Sequence, residues 1–137
     1  MLTDLEKNAI RDHYQNIGKN LPGFRPRASQ REMIAAIANA FSRTLTREEG
    51  EEAPKREGES IAVIEGPTGV GKSLAYLLAG GIMAQTRGKR LIVSSATVAL
   101  QEQLVDRDLP FLVEKSGLEL TFALAKGRGL SLINLSE

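Results

Sequence analysis

Hydrophobic positions along this chain fall into helical and strand-like rhythms separated by polar breaks. Leu5, Ile10 and Ile17 are consistent with one face of a helix reaching about Gly18, and Thr3 followed by Glu6 is a capping-box signature at its start. Asn20-Leu21-Pro22-Gly23 reads as a turn. Met33, Ile34, Ile37, Phe41 and Leu45 then repeat at three- and four-residue spacing, which predicts an amphipathic helix from about Gln30 to Leu45, with Ser29 and Glu32 as a second capping box. Residues 46–60 break the rhythm: six glutamates, two glycines and one proline leave almost nothing for a core, so a charged, flexible loop is expected. An acidic interaction segment is the alternative reading of the same composition.

Beyond residue 60 the runs are shorter. Ile61-Ala62-Val63-Ile64, Leu91-Ile92-Val93-Ser94-Ser95 and Leu120-Thr121-Phe122-Ala123-Leu124 are strand candidates, the second of the type buried on both faces. A helix begins in Leu74-Ala75-Tyr76-Leu77-Leu78-Ala79 and ends near Gly80 or runs on to Gln85. Arg87-Gly88-Lys89-Arg90 makes a basic turn. Thr97 caps another helix reaching about Val105; Asp108-Leu109-Pro110 breaks it, and Phe111 to Lys115 forms a further helical turn. Strands alternating with helices predict an α/β fold with a parallel sheet. No internal repeat is visible.

The stretch Gly66-Pro67-Thr68-Gly69-Val70-Gly71-Lys72-Ser73 carries the strongest chemistry. It matches G-x-x-x-x-G-K-[ST], between a predicted strand and a predicted helix, which is the context a phosphate-binding loop requires. A triphosphate concentrates negative charge, and successive backbone N–H groups wrap it only where bulky side chains stay away. Gly66, Gly69 and Gly71 permit that approach; Thr68 and Val70 contribute main-chain donors, and Pro67 stiffens the loop but has no N–H to give. The helix start adds free N–H groups and a positive dipole end. Lys72 is the expected point charge for the β- and γ-phosphates, and Ser73 the Mg²⁺ ligand.

Two further segments bear on the ligand. Gln30, within Phe24-Arg25-Pro26-Arg27-Ala28-Ser29-Gln30, has an amide that can accept from an adenine amino group and donate to the adjacent ring nitrogen, with Arg27 beside it. The same residues also fit a helix start with solvated arginines. Ser95 and Thr97 stand at a predicted strand end, where a hydroxyl and the following helix amides could hold a nucleic-acid phosphate. A plain N-cap with Leu100 and Leu104 turned inward explains that segment equally well.

Bulk properties narrow the classes. The 137 residues make about one domain, with 42% hydrophobic and 26% charged residues, as in a soluble globular chain. The apolar runs fall far short of a membrane span and the polar N-terminus lacks a secretory pattern, so a cytoplasmic location is expected. The absence of cysteine excludes disulfides, thiolate metal sites and a cysteine-held iron–sulfur cluster within these residues. A net charge of +1 gives no global attraction to nucleic acid, so any such surface must be a local patch.

Taken together, these segments resemble superfamily 2 DNA helicases of the XPD-like group, in particular their DinG-type branch, over nearly the whole chain up to Gly129. Glu65 to Ser73 is similar to that family's ATP-binding loop, Arg27-Ala28-Ser29-Gln30 to its adenine-recognising segment, and Ser95-Ala96-Thr97 with Leu100 and Gln103 to a motif that contacts single-stranded DNA. Lys126-Gly127-Arg128-Gly129 resembles the segment before the first cluster cysteine. The resemblance implies a RecA-like P-loop domain, ATP and Mg²⁺ as cofactors, 5′-to-3′ unwinding, a [4Fe–4S] cluster in the family and a role in DNA repair or recombination. It ends at Leu130-Ser131-Leu132-Ile133-Asn134-Leu135-Ser136-Glu137, where a frameshift or truncation is the expectation.

The implied layout is N-terminal helices with the adenine segment in 1–45, a charged loop in 46–60, the first part of an ATP-binding domain in 61–129 and a divergent tail in 130–137. No predicted strand ends in an Asp-Glu pair, so no catalytic residue is assigned, and binding without hydrolysis is expected. An incomplete parallel sheet with open edges would be prone to self-association. A small P-loop kinase and a non-catalytic module that pairs with a helicase remain the rival readings.

Overall fold

The computed structural model describes residues 1–43, 60–67, 71–126 and the backbone of 131–136. Residues 46–59 of the expected charged loop, Leu45, Thr68-Gly69-Val70 of the expected phosphate loop and Gly127-Arg128-Gly129 lie outside the described residues. The fold is helix-rich and mixed: helices α1 (Asp4–Asn20), α2 (Ala28–Ser42), α3 (Lys72–Thr86), α4 (Val98–Gln103) and α5 (Leu109–Ser116) stand with strands β1 (Leu91–Ser95), β2 (Thr121–Lys126) and β3 (Ser131–Ser136).

Helix α1 begins with the expected capping box: the Glu6 N–H donates to Thr3 Oγ1 at 3.2 Å and the Thr3 N–H to Glu6 Oε2 at 3.0 Å. The second box does not form. Arg27 is the N-cap of α2 and makes no side-chain cap bond, so Ser29 falls inside the first turn. Pro26 precedes the cap, a place where its missing N–H costs nothing.

Helix α3 is the centre of the molecule. Ala75, Leu77, Leu78, Ala79, Ile82 and Met83 are buried, and α1, α2, α5 and the sheet all pack around it. Gly80 and Gly81 let the sheet come close. A Cβ on Gly80 would stand 2.7 Å from Leu91 Cδ2, and one on Gly81 3.1 Å from Leu120 Cδ1. Glycine here costs helix propensity but removes the side chain that would hold β1 away.

The break expected at Asp108-Leu109-Pro110 is bridged. A π-helical turn, Leu104–Asp108, joins α4 to α5, and Pro110 sits in the first turn of α5. The helical run is continuous here, the Leu109 N–H reaching back to Leu104 O, and the wider π-helical turn before Pro110 is where the run adapts to a residue that has no N–H to give. Gly117, at φ 72°, ends α5 in the left-handed region. Three α1 side chains hold the last carbonyls of α5: His13 Nδ1 lies 2.8 Å from Ser116 O, Asn16 Nδ2 donates to the same oxygen at 3.2 Å, and Asn20 Nδ2 donates to Lys115 O at 2.9 Å.

The sheet departs from the expected parallel arrangement. Its order is β1-β3-β2, and β3 is antiparallel to both neighbours, with Val93 opposite Ile133 and Leu124 opposite the same residue. Strands β1 and β2 therefore share a direction, as a strand–helix–strand crossover gives, but β3 occupies the place between them. The residues expected to be an unrelated tail form the central strand.

The expected strand Ile61–Ile64 is absent. These residues have no regular structure, and Val63 is 94% exposed. A strand exists only with a ladder partner, and β1 pairs with β3. Strand β1 is also not buried on both faces. Leu91 and Val93 pack on the core while Ile92 is 61% exposed, so helices cover one side of the sheet.

Candidate functional site

The phosphate-loop segment meets α3 at Gly71. This residue has φ 77°, a conformation that disfavours any side chain, and a Cβ on it would lie 2.2 Å from Gln30 Nε2. Glycine is thus required by both backbone and space. Lys72 and Ser73 occupy the first two positions of α3, where the amides lack intrahelical acceptors and the dipole is positive.

Lys72 arches back over the segment before it, and its Nζ donates to Gly66 O at 2.8 Å. The lysine is exposed, so its ammonium can exchange that carbonyl for an anion without crossing a packed core. Ser73 is half-buried, and the Tyr76 hydroxyl approaches its Oγ at 3.5 Å. Burial pushes the Tyr76 phenol above its ordinary range, with Asp108 across the π-helical turn adding to the rise.

Gln30, expected to read adenine, is only 4% exposed. Its amide is held from both ends. Tyr14 Oη donates to Oε1 at 2.7 Å, and Nε2 donates to Gly71 O at 3.2 Å. Tyr14 is in turn placed by Phe24, edge to face, with centroids 5.7 Å apart. Burial raises the Tyr14 phenol pKa, which keeps its proton in place. Tyr14 was not singled out by sequence. A tyrosine on the inner face of an amphipathic helix, needing a partner for its hydroxyl, was the available signal.

Beside Gln30 opens a cavity of about 480 Å³, lined among others by Leu21, Phe24, Arg25, Arg27, Gln30 and Gly71. This size falls in the range of small-molecule sites. The structure brings Arg27, Gln30, Gly71 and this cavity together, with Lys72 next in sequence. A smaller hollow of about 230 Å³ lies between Glu32, Met33 and Ala36 of α2 and the Ile64–Pro67 segment.

These residues fit a bound nucleoside triphosphate. Gly71 brings the chain into α3 through a left-handed turn packed against the Gln30 amide, and Lys72 is an exposed cation at a helix start. Ser73 offers a hydroxyl for a metal ion. Among the described residues no group of three or more His, Asp or Glu side chains could hold a metal by itself.

Ser95 and Thr97 lie at the far end of β1, the strand that follows α3. Ser95 is buried, its carbonyl accepts from Gln101 Nε2 at 2.9 Å, and its hydroxyl has no partner among the described residues. Thr97 caps α4, its Oγ1 accepting the Leu100 N–H at 3.3 Å. The basic turn is partly committed: Arg87 Nε donates to Glu6 Oε1 at 2.8 Å and Arg87 Nη1 to Ser42 O at 3.1 Å. No helix among the described residues is long and apolar enough to cross a membrane.

No protein-family model matches the chain. Curated proteins do. Over 128 residues, 93% of this chain, it is 42% identical to the ATP-dependent DNA helicase DinG of Photobacterium profundum and 43% identical to that of Escherichia coli. It is 44% identical over the same extent to the helicase of that name from Salmonella typhimurium. The chain is thus similar to DinG-type helicases along almost all of its length, and it spans only 16–17% of the length of these relatives.

Proposed function

We propose that this chain is the nucleotide-binding part of a DinG-type ATP-dependent DNA helicase, and that it grips ATP–Mg²⁺ through Gly66 to Ser73. The observation that carries the reading is the meeting of Gly71 and Lys72, at the start of α3, with the Gln30-lined cavity. Similarity to the DinG helicases over 93% of the chain supports it. In this reading the main chain of Gly66, Thr68, Gly69, Val70 and Gly71 cradles the phosphates. Lys72 leaves the Gly66 carbonyl for the β- and γ-oxygens, and Ser73 ligates Mg²⁺. Arg27 and Gln30 face the adenine.

The division of labour follows the proposed layout: helices with the adenine segment in 1–45, a charged loop in 46–60 and part of a RecA-like P-loop domain in 61–129, with the expected tail joined to that part through β3. Ser95 and Thr97 would meet single-stranded DNA. Unwinding with 5′-to-3′ polarity and a part in DNA repair would belong to the longer protein. The metal supplies charge neutralisation for the phosphates. None of the described strands ends in paired carboxylates, so the reading gives this chain the grip on ATP and assigns it no hydrolytic residue. The small-kinase reading is less favoured, since Arg87 of the basic turn is tied to Glu6 and is not free to serve a lid.

Thermal melting with and without ATP–Mg²⁺ tests the proposal. ATP at about 100 times its dissociation constant should stabilise the protein by about 2.7 kcal/mol. Lys72→Ala should lose that protection while melting as before in the absence of nucleotide. Equal protection of the variant would remove the site assignment.

A further inference from the structure

We propose that the seam between α1 and α2 is a docking groove for an acidic amphipathic helix of a partner protein. The groove is separate from the nucleotide site proposed above: its cations, Lys7, Arg11 and Arg31, line a different cavity from the one beside Gln30.

The groove follows from how the two helices are seated. Both α1 and α2 pack on α3, but their backbones hardly approach one another. Between them opens a cavity of about 600 Å³. Its floor is apolar. Ile10 and Tyr14 stand one turn apart on α1, and Ile34 and Ala38 one turn apart on α2, so each pair shares a helix face. Tyr14, Ile34 and Ala38 are buried and Ile10 is half-buried. Ala35 and Ala38 have no side chain beyond Cβ, which leaves the seam unfilled.

The rim is cationic. Lys7 and Arg11, also one turn apart, are exposed on α1, and Arg31 is exposed on α2. Among the described residues no carboxylate lines the cavity. Lys7 Nζ meets Asp4 Oδ1 only at 3.9 Å, and the Asp4 side chain is 98% exposed. Arg11 Nη1 donates to the neutral Asn8 amide at 3.5 Å. Arg31 has no ion pair among the described residues. With a net charge of +1 for the whole chain, three such cations around one groove are a local concentration. Solvated cations alone would carry no argument. Their placement on both lips of an apolar trough does.

That placement selects the occupant by complementarity. A helix with leucines at i, i+3, i+4 and i+7 lays its stripe into a groove between two helices. Glutamates flanking the stripe then fall beside Lys7 and Arg11 on one lip and Arg31 on the other. Single-stranded nucleic acid would suit the cations but not the floor, because its bases need open aromatic faces to stack on. The one aromatic residue lining the groove, Tyr14, is 9% exposed and engaged edge to face with Phe24.

Fluorescence anisotropy tests the proposal with a labelled synthetic helix of glutamate and alanine that carries the leucine stripe. The intact chain should bind it, with affinity falling as salt rises. Changing the peptide's leucines to alanine keeps its charge and helicity and should abolish binding. Changing its glutamates to glutamine should weaken binding. Arg11→Glu together with Arg31→Glu should weaken binding about tenfold, the size expected of two exposed ion pairs. Ala35→Trp fills the seam from an exposed position and should block the peptide. Failure of the unsubstituted protein to bind the leucine peptide overturns the proposal. So does equal binding of the alanine peptide, a result that needs no variant to fold. If oligo-dT binds in place of the peptide and is lost in the double arginine variant, the groove belongs to nucleic acid and the proposal falls. If the peptide does not bind and Ala35→Trp lowers self-association in sedimentation, the occupant is a second copy and the proposal falls. Protection by ATP–Mg²⁺ is read separately, so either proposal can fail alone.

Discussion

Glycine at position 71 shows how much one missing side chain can decide. Its φ of 77° and the 2.2 Å approach of Gln30 Nε2 to a notional Cβ act together. Gly71→Ala should therefore lower stability by about 2–3 kcal/mol in urea titrations and abolish nucleotide protection. Gly18 provides the contrast. It lies in α1, and a Cβ there would make an ordinary 3.7 Å contact with Phe24 Cδ1. Gly18→Ala should stabilise the protein by up to about 1 kcal/mol, because helix propensity is all that changes. The helix start at Gly71 and Lys72 was legible in the sequence because a glycine followed by a helical run marks such a start. The Tyr14–Gln30 hydrogen bond was not, since it joins side chains of two different helices.

At the level of elements, local signals read well and non-local ones did not. The Thr3–Glu6 box is written within four residues and forms as expected. Ser29 carries the same letters, but α2 starts at Ala28, so its hydroxyl is already inside the helix. The Ile61–Ile64 run has strand composition yet no ladder partner, and a strand cannot be defined by one chain segment alone. Pro110 read as a breaker because sequence does not show the π-helical turn that carries the helical run past it.

Long-range ion pairing was equally hidden. Arg87, at the end of α3, reaches Glu6 of α1 and the carbonyl of Ser42 at the end of α2, so one guanidinium joins three helix termini. Arg87→Ala should cost about 2–3 kcal/mol, since it strands a carboxylate that is 5% exposed. The Arg87 hydrogen bond holds the Glu6 carboxyl below its ordinary range, against the opposing pull of burial. A lowered folded-state pKa stabilises above the unfolded value and is lost as pH falls through the folded one. The stability gap between the intact chain and Arg87→Ala should thus be full at pH 7 and shrink below the ordinary carboxylate range, about pH 4. A gap that does not vary with pH would refute this account of the pair.

For the whole molecule, the one-sided sheet sets behaviour in solution. Ile92 and Val63 are exposed apolar residues, and the outer face of β1 and β2 carries no covering helix among the described residues. Concentration-dependent association should be visible by sedimentation velocity, and Ile92→Lys should reduce it. A sharp, reversible melt of a strictly monomeric species would count against that expectation. The mixed, helix-rich character of the fold was legible from periodicity. The sheet was not, because β3 inserts between two strands whose crossover geometry alone predicts direct neighbours. The clasp of His13, Asn16 and Asn20 on the last carbonyls of α5 has a temporal consequence as well. A ribosome adding about 5–20 residues per second completes α1 seconds before the segment it fastens exists. Helix α1 must wait, part of its inner face uncovered, until α5 arrives to be tied down.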